Sequence, residues 1–169
     1  MFDDKNEKNC GFINGNDRFR YRAGAVIIED GHVLLATNDV VDYYYSIGGA
    51  VHLGETSAAA AMREAYEETG VRYEISRLAF VCENFFRDKS KSVLSGYDGH
   101  EITLFYLMKP RGSRQTHSTS TCADGKEYVV WMPIDELGEH KVFPNFFAQK
   151  LKDLPIGIEH IVIDDRCDK

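Results

Sequence analysis

Three glutamates, Glu64, Glu67 and Glu68, fall at helical spacing in the stretch Gly49 to Val71, GAVHLGETSAAAAMREAYEETGV. On an α-helix, residues three and four apart share a face, so the three carboxylates form one patch, with Glu64 a turn ahead of the other two. Carboxylates that close repel one another unless a cation sits among them. Hard oxygen ligands suit Mg²⁺, Mn²⁺ or Ca²⁺ better than Zn²⁺, which prefers Cys and His. The pattern therefore points to a divalent-metal site. A glutamate-rich helix face is ordinarily just solvated, but here the spacing is more specific. Gly49 is followed after five residues by Glu55, after seven more by Arg63-Glu64, then by Glu67-Glu68 and Gly70. Seven fixed positions, each filled by chance at roughly 7%, coincide on the order of once in 10⁸ starting points.

The elements that must carry these residues can be read beside them. Thr56 or Ser57 can cap the helix start, and Gly70 suits the left-handed position that ends a helix. Ala58, Ala59, Met62, Ala65, Tyr66 and Thr69 are expected to face a sheet, leaving the opposite side to bind. Paired glycines, Gly48-Gly49, let the backbone turn tightly and bring a carbonyl close to an ion.

These residues resemble the Nudix box, G-x5-E-x7-R-E-U-x-E-E-x-G-U, where U is a bulky aliphatic. Every charged and glycine position is filled; Ala65 stands where an aliphatic is usual, and Ile47 precedes Gly48-Gly49 where members often have proline. The resemblance covers 23 of 169 residues and implies a Nudix-like α/β/α sandwich around a mixed β-sheet (α/β, or α+β). It implies a Nudix-type pyrophosphohydrolase that cleaves a nucleoside diphosphate linked to another group. It also implies metal ligation by Glu64, Glu67 and Glu68 with the Gly49 carbonyl, Mg²⁺ being the expected ion and Mn²⁺ a substitute. The metal would offset charge on phosphoryl oxygens and acidify water. Arg63 is expected to pair with Glu55, fixing loop against helix, and can also reach Glu67. For the general base the family offers two solutions: a box glutamate, at Glu64 or Glu67, or one from a later loop. Glu127 is the candidate for the later carboxylate and Glu101 its alternative. A catalytically silent nucleotide-binding or regulatory module of the same fold is the competing reading; the complete set of carboxylates speaks against it.

The substrate is less legible. Tyr43, Tyr44, Tyr45, Phe85, Phe86 and Tyr97 are able to stack a base or sugar, and Tyr45 and Phe85 are taken as substrate-binding candidates together with Arg22, which can meet a phosphate. Markers of ADP-ribose, diadenosine-polyphosphate, coenzyme A and NADH hydrolases are absent, which leaves a nucleoside triphosphate or modified nucleotide favoured by elimination.

Along the chain, residues 1–18 are polar and aperiodic and read as an N-terminal arm; residues 19–165 make the domain. Tyr21–Ile28 and Val33–Ala36 flank an Asp30-Gly31 hairpin turn. Tyr43–Ile47, Tyr73–Phe86, His100–Met108, Glu127–Met132 and Ile158–Ile163 read as strands, the fourth of these set off by a Ser/Thr-rich loop over 111–126. Residues 87–99 form a polar loop, and Pro144–Leu151 a C-terminal helix. His100–Met108 has apolar residues on both faces and is expected to be covered on both.

With 43% hydrophobic residues the chain can build one full core, and a net charge of −7 argues against long nucleic acid as a partner. A small anionic nucleotide held through a metal remains compatible. Cys10, Cys82, Cys122 and Cys167 lack ligand spacing, nothing at the start resembles a signal peptide, and no apolar run approaches the roughly 20 residues of a membrane span. These features favour a cytoplasmic protein with reduced thiols. Composition leaves a homodimer open.

Overall fold

The computed structural model describes residues 8–87, 96–118, 121–122 and 125–166. The first seven residues of the expected arm, most of the polar loop over 87–99, part of the Ser/Thr-rich stretch, and Cys167 lie outside the described residues.

The elements run β1 (Gly11–Asn14), β2 (Asp17–Val26), β3 (Ile28–Glu29), β4 (His32–Asn38), β5 (Tyr44–Ala50), α1 (Ser57–Thr69), β6 (Ile75–Arg87), β7 (Asp98–Met108), β8 (Thr121–Cys122), β9 (Gly125–Pro133), a 3-10 turn (Ile134–Glu139), β10 (Val142–Phe143), α2 (Phe147–Lys150) and β11 (Glu159–Asp164). The strands form one mixed sheet in the order β11-β6-β7-β2-β5-β4-β9-β8, with β1 on β2, β3 on β4 and β10 on β5. β2 is its pivot. It runs parallel to β7 and antiparallel to β5.

Alternation along β2 divides the interior in two. Ala23 and Ala25 face α1 in a cluster with Ile27, Leu34, Ile47, Ala60, Ala61 and Ala65. Val26 belongs to the other face, where Val33, Leu35, Phe80, Phe105, Leu137 and Phe147 pack beneath the 3-10 turn and α2. Successive strand residues point to opposite faces, so β2 serves both clusters at once. The result is the expected sandwich of helix, mixed sheet and helix.

Three expectations are corrected. Residues 11–18 of the arm are part of the sheet: Gly11–Asn14 pairs with Asp17–Arg20 across a turn in which Gly15 adopts φ 60°. The period was hidden because only Phe12 and Ile13 of this four-residue strand are apolar. The C-terminal helix is shorter than Pro144–Leu151, covering Phe147–Lys150. The third concerns the packing face of α1, described below. The Asp30-Gly31 turn is as expected, with both residues at positive φ, 47° and 72°, the geometry a two-residue hairpin favours.

Candidate functional site

The helix α1 is bounded by the chemistry its sequence offers. Thr56 Oγ1 accepts the Ala59 N–H at 3.2 Å, and Gly70, at φ 69°, donates its N–H to the Tyr66 carbonyl at 2.8 Å. The buried residues of α1 are Ser57, Ala60, Ala61, Ala65, Glu68 and Thr69. Met62 and Tyr66, expected against the sheet, are exposed instead, 40% and 45%. The stripe is rotated because 3.6-residue periodicity aligns 57, 60/61, 65 and 68, and small side chains occupy that line even though larger apolar ones lie beside it. Packing and binding therefore share an edge of the helix: Glu67 is exposed, Glu64 half-buried and Glu68 buried.

Glu68 meets the end of β5. Its Oε1 accepts the Gly48 N–H at 2.8 Å, while its Oε2 is buried without a hydrogen-bond partner. On the next peptide unit, Arg22 Nη2 donates to the Gly48 carbonyl at 3.2 Å. Gly48 lies at φ 142°, and a Cβ there would run into the Ala23 carbonyl and stand 2.7 Å from Gly24 Cα; only glycine fits. A Cβ on Gly49 would stand 2.5 Å from the Glu64 carboxylate. The helix carboxylates and the glycine backbone thus occupy one small volume.

Arg63 is the hub of the exposed side. Its Nε and Nη2 bind the two oxygens of Glu55 at 2.9 Å each, Nη1 binds Glu64 at 2.6 Å and Glu67 at 3.2 Å, and Nη2 also donates to the Ala50 carbonyl at 3.0 Å. Glu55 in turn accepts the His52 N–H at 3.1 Å, tying the loop ahead of α1 to the same guanidinium. The Arg63 bond holds the Glu55 carboxyl below its ordinary range.

The two later carboxylates separate clearly. Glu127 on β9 is buried, receives the Tyr45 hydroxyl at 2.7 Å and is close enough that its charge acts on Glu68. Glu101 on β7 is buried between Arg20, at 2.9 Å, and Arg22, at 3.4 Å. Burial alone would raise the Glu101 carboxyl; the guanidiniums of Arg22 and Arg20 outweigh it and hold the group below the usual range. Arg20, desolvated and beside Arg22, is lowered to about 10. Glu101 thus reaches the glycine turn only through Arg22.

Burial pushes the Glu68 carboxyl well up, and the charges of Glu127 and Glu64 add to the effect. Burial likewise raises Glu64, against the opposing pull of Arg63. A buried and a half-buried carboxyl, both raised, are what a carboxylate cluster displays before a cation compensates it. Among the described residues, no three His, Cys, Asp or Glu side chains converge on one point as they stand, because Arg63 Nη1 lies between Glu64 and Glu67. The donor set nonetheless fits a hard divalent ion. Every candidate ligand is an oxygen, the buried Glu68 Oε2 lacks a partner, and the absence of a Cβ at Gly49 lets the Glu64 carboxylate lie close against the backbone.

Of the substrate-binding candidates, Arg22 and Tyr45 stand at this site; the Arg22 Nη atoms bind Glu101 and the Gly48 carbonyl, its Nε is buried without a partner, and the Tyr45 hydroxyl binds Glu127. Phe85 stands elsewhere. It stacks on His100 at 4.3 Å, beneath the Arg166 guanidinium, in a surface pocket with Phe12 and Phe19 that no box residue lines. The Arg20–Glu101–Arg22 network and the Tyr45–Glu127 bond escaped sequence reasoning. For the first, the alternation of Arg20 and Arg22 on an otherwise core-forming strand is the available signal.

Fold and site together define a class: an α/β/α sandwich in which a glutamate-bearing helix docks on a Gly-Gly strand end. The chain belongs to the NUDIX domain family, whose model matches residues 18–153. A MutT-like protein of Streptomyces ambofaciens is 30% identical over 117 residues, 69% of this chain and 65% of that protein; the chain thus spans just under two thirds of this relative's length. Among solved structures, a MutT NUDIX hydrolase from Burkholderia pseudomallei is similar with a TM-score of 0.59 and 24% identity, over 78% of this chain and 96% of that one. The MutT protein from Methanosarcina mazei Go1 has a TM-score of 0.61 at 15% identity, over 83% and 96%. At these identities the likeness of the solved structures speaks for the fold.

Proposed function

We propose that the chain is a metal-dependent pyrophosphohydrolase acting on a nucleoside diphosphate linked to another group, with a nucleoside triphosphate or a modified nucleotide as the favoured substrate. The single observation that carries this reading is the buried, unpartnered Glu68 Oε2, set beside Gly48-Gly49 and within the influence of Glu64 and Glu127. A buried carboxylate oxygen left unpaired is costly, and a divalent cation is the partner its neighbours are chemically suited to share.

In this reading Glu64, Glu67, Glu68 and the Gly49 carbonyl would hold Mg²⁺, with Mn²⁺ able to replace it. The ion supplies offset for the negative charge that grows on phosphoryl oxygens during transfer to water. Arg63, bonded to Glu64 and Glu67 as well as Glu55, would keep its two-pronged grip on Glu55 with the other two carboxylates turned to the ion. Arg22 holds the Gly48 carbonyl and so sets the direction of the Gly48–Gly49 peptide. Glu127 is the general base: it takes a proton from the water that attacks phosphorus, as the bond to the leaving phosphate oxygen breaks. The membership in the NUDIX domain family and the MutT-like relative support the reaction class. No helix among the described residues is long and apolar enough to cross a membrane; we infer a cytoplasmic setting.

The test is release of phosphate or pyrophosphate from a panel of nucleoside triphosphates, oxidised guanine nucleotides, nucleoside diphosphate sugars and dinucleoside polyphosphates. Each is assayed with Mg²⁺, with chelator and with Glu68→Gln. One substrate class should turn over, and both chelator and substitution should abolish it. Ligand binding with Mg²⁺ but without turnover would replace this reading with that of a silent binding module.

A further inference from the structure

We propose that Tyr45 is a positioning residue for Glu127, acting through its hydroxyl rather than stacking on substrate through its ring. The inference rests on the assignment of Glu127 as the base and extends it.

The register of three strands explains how two residues 82 positions apart meet. Tyr45 on β5 pairs with Ala36 on β4, and Ala36 pairs on its other side with Val129 on β9. Glu127, two residues from Val129, pairs with Asn38, two residues from Ala36. Residues in register share a face, as do residues two apart, so Tyr45, Ala36, Asn38, Val129 and Glu127 all point to the α1 side. Ala36 is fully buried and carries only a methyl group, so a side chain as long as tyrosine crosses β4 diagonally and sets its hydroxyl on Glu127 Oε2 at 2.7 Å. Asn38 completes the arrangement. Its Oδ1 accepts the Val40 and Val41 N–H groups at 2.9 and 3.1 Å, and its Nδ2 stands 3.5 Å from the Tyr45 oxygen.

The ring, by contrast, is engaged within the fold. It packs against the α1-side core and meets Tyr43 edge-on, with centroids 6.1 Å apart. Its polar end is aimed at a buried carboxylate beside Glu68. A general base must first be in the right place, and a phenolic donor to one carboxylate oxygen fixes which way the group turns.

Four variants decide the matter: Tyr45→Phe, Glu127→Gln, the double substitution, and Tyr128→Phe, which removes an exposed hydroxyl from a neighbouring position. With Mg²⁺ and the substrate class that the panel identifies, Tyr45→Phe should lower kcat about tenfold with KM changed less than about twofold. The double variant should be no slower than Glu127→Gln alone, because one residue acts through the other, and Tyr128→Phe should match the wild type. A crystal structure of Tyr45→Phe should show the Glu127 carboxylate displaced by about 1 Å, enough to matter for proton transfer. Raised KM at unchanged kcat, losses that multiply in the double variant, or an unmoved Glu127 would each overturn the inference. If Glu127→Gln is slow and Tyr45→Phe is not, this inference alone is overturned. If Glu127→Gln turns over like the wild type, the base assignment goes, and this inference with it.

Discussion

Adjacent glycines at the end of β5 should fail in opposite ways when each is given a methyl group. At Gly48 the obstacle is backbone: a Cβ would collide with the Ala23 carbonyl and lie 2.7 Å from Gly24 Cα, at a φ of 142° that alanine adopts poorly. Neither strand can retreat, since β2 and β5 are locked in register from Arg22–Ala50 to Ala25–Ile47. Strain and overpacking together cost about 3–5 kcal/mol, or about 10 °C in Tm for a domain of this size. At Gly49 the obstacle is the far end of one side chain, the Glu64 carboxylate at 2.5 Å, where ordinary contact begins at 3.4 Å. Glu64 must withdraw by about 1 Å, a displacement that can cost on the order of 10²-fold in function. The fold loses little, because the shorter list of unfolded conformations for alanine returns about 0.4–1 kcal/mol. Thermal unfolding and calorimetric Mn²⁺ titration of the purified variants separate the two. Gly48→Ala should unfold at least about 6 °C early. Gly49→Ala should keep Tm within about 3 °C while Mn²⁺ affinity falls at least about tenfold. Wild-type Mn²⁺ affinity in a folded Gly49→Ala protein would refute the view that Glu64 and this glycine share an ion.

Glu101→Gln should destabilise the protein by about 2 kcal/mol in urea titration, since it leaves the half-buried guanidiniums of Arg20 and Arg22 without their buried counter-charge. The folded Glu101 carboxyl lies below its ordinary 4.5, so its contribution is complete above that pH and is lost as pH falls through the lowered value. Wild type and variant should therefore converge in acid, and a gap that stays constant below pH 4.5 would contradict the charge account. The Cys82 thiol is pushed up to about 11 by burial, with Glu101 and Glu83 adding to it. Iodoacetamide at about pH 8 should leave Cys82 unmodified in the folded protein and modify it in urea, as read by peptide mass; labelling of the native protein would place it nearer the surface.

What could be read from residue order was the part governed by local spacing. The ends of α1, the Asp30-Gly31 turn and the Arg63–Glu55 pair all depend on residues within eight positions of one another. The sheet strands were legible where apolar runs are long, as in β4 and β7, and missed in β1, where four residues carry too little pattern. The packing face of α1 was misjudged because residue size drew attention to Met62 and Tyr66 while alanines set the contact. Phe85 was taken toward the substrate on residue type alone, although its position follows from strand register: it pairs with His100, and His100 with Phe19. Glu127 could be ranked ahead of Glu101 from the sequence, but their surroundings could not be told apart because both are glutamates on strands. Only the third dimension shows one between two arginines and the other facing Glu68.

Gly48 is gripped by two layers, its N–H by Glu68 from the helix and its carbonyl by Arg22 from the sheet. That single amide proton is consequently a built-in gauge of the site. Its exchange with deuterated solvent requires Glu68 to let go, so its rate reports the docking of α1 on β5 without any substrate in the tube. Its resonance, in the glycine region of an amide spectrum, would register a change at Glu68 before any other backbone group of β5 could. The molecule thus carries, at one atom, a signal by which candidate ligands can be ranked.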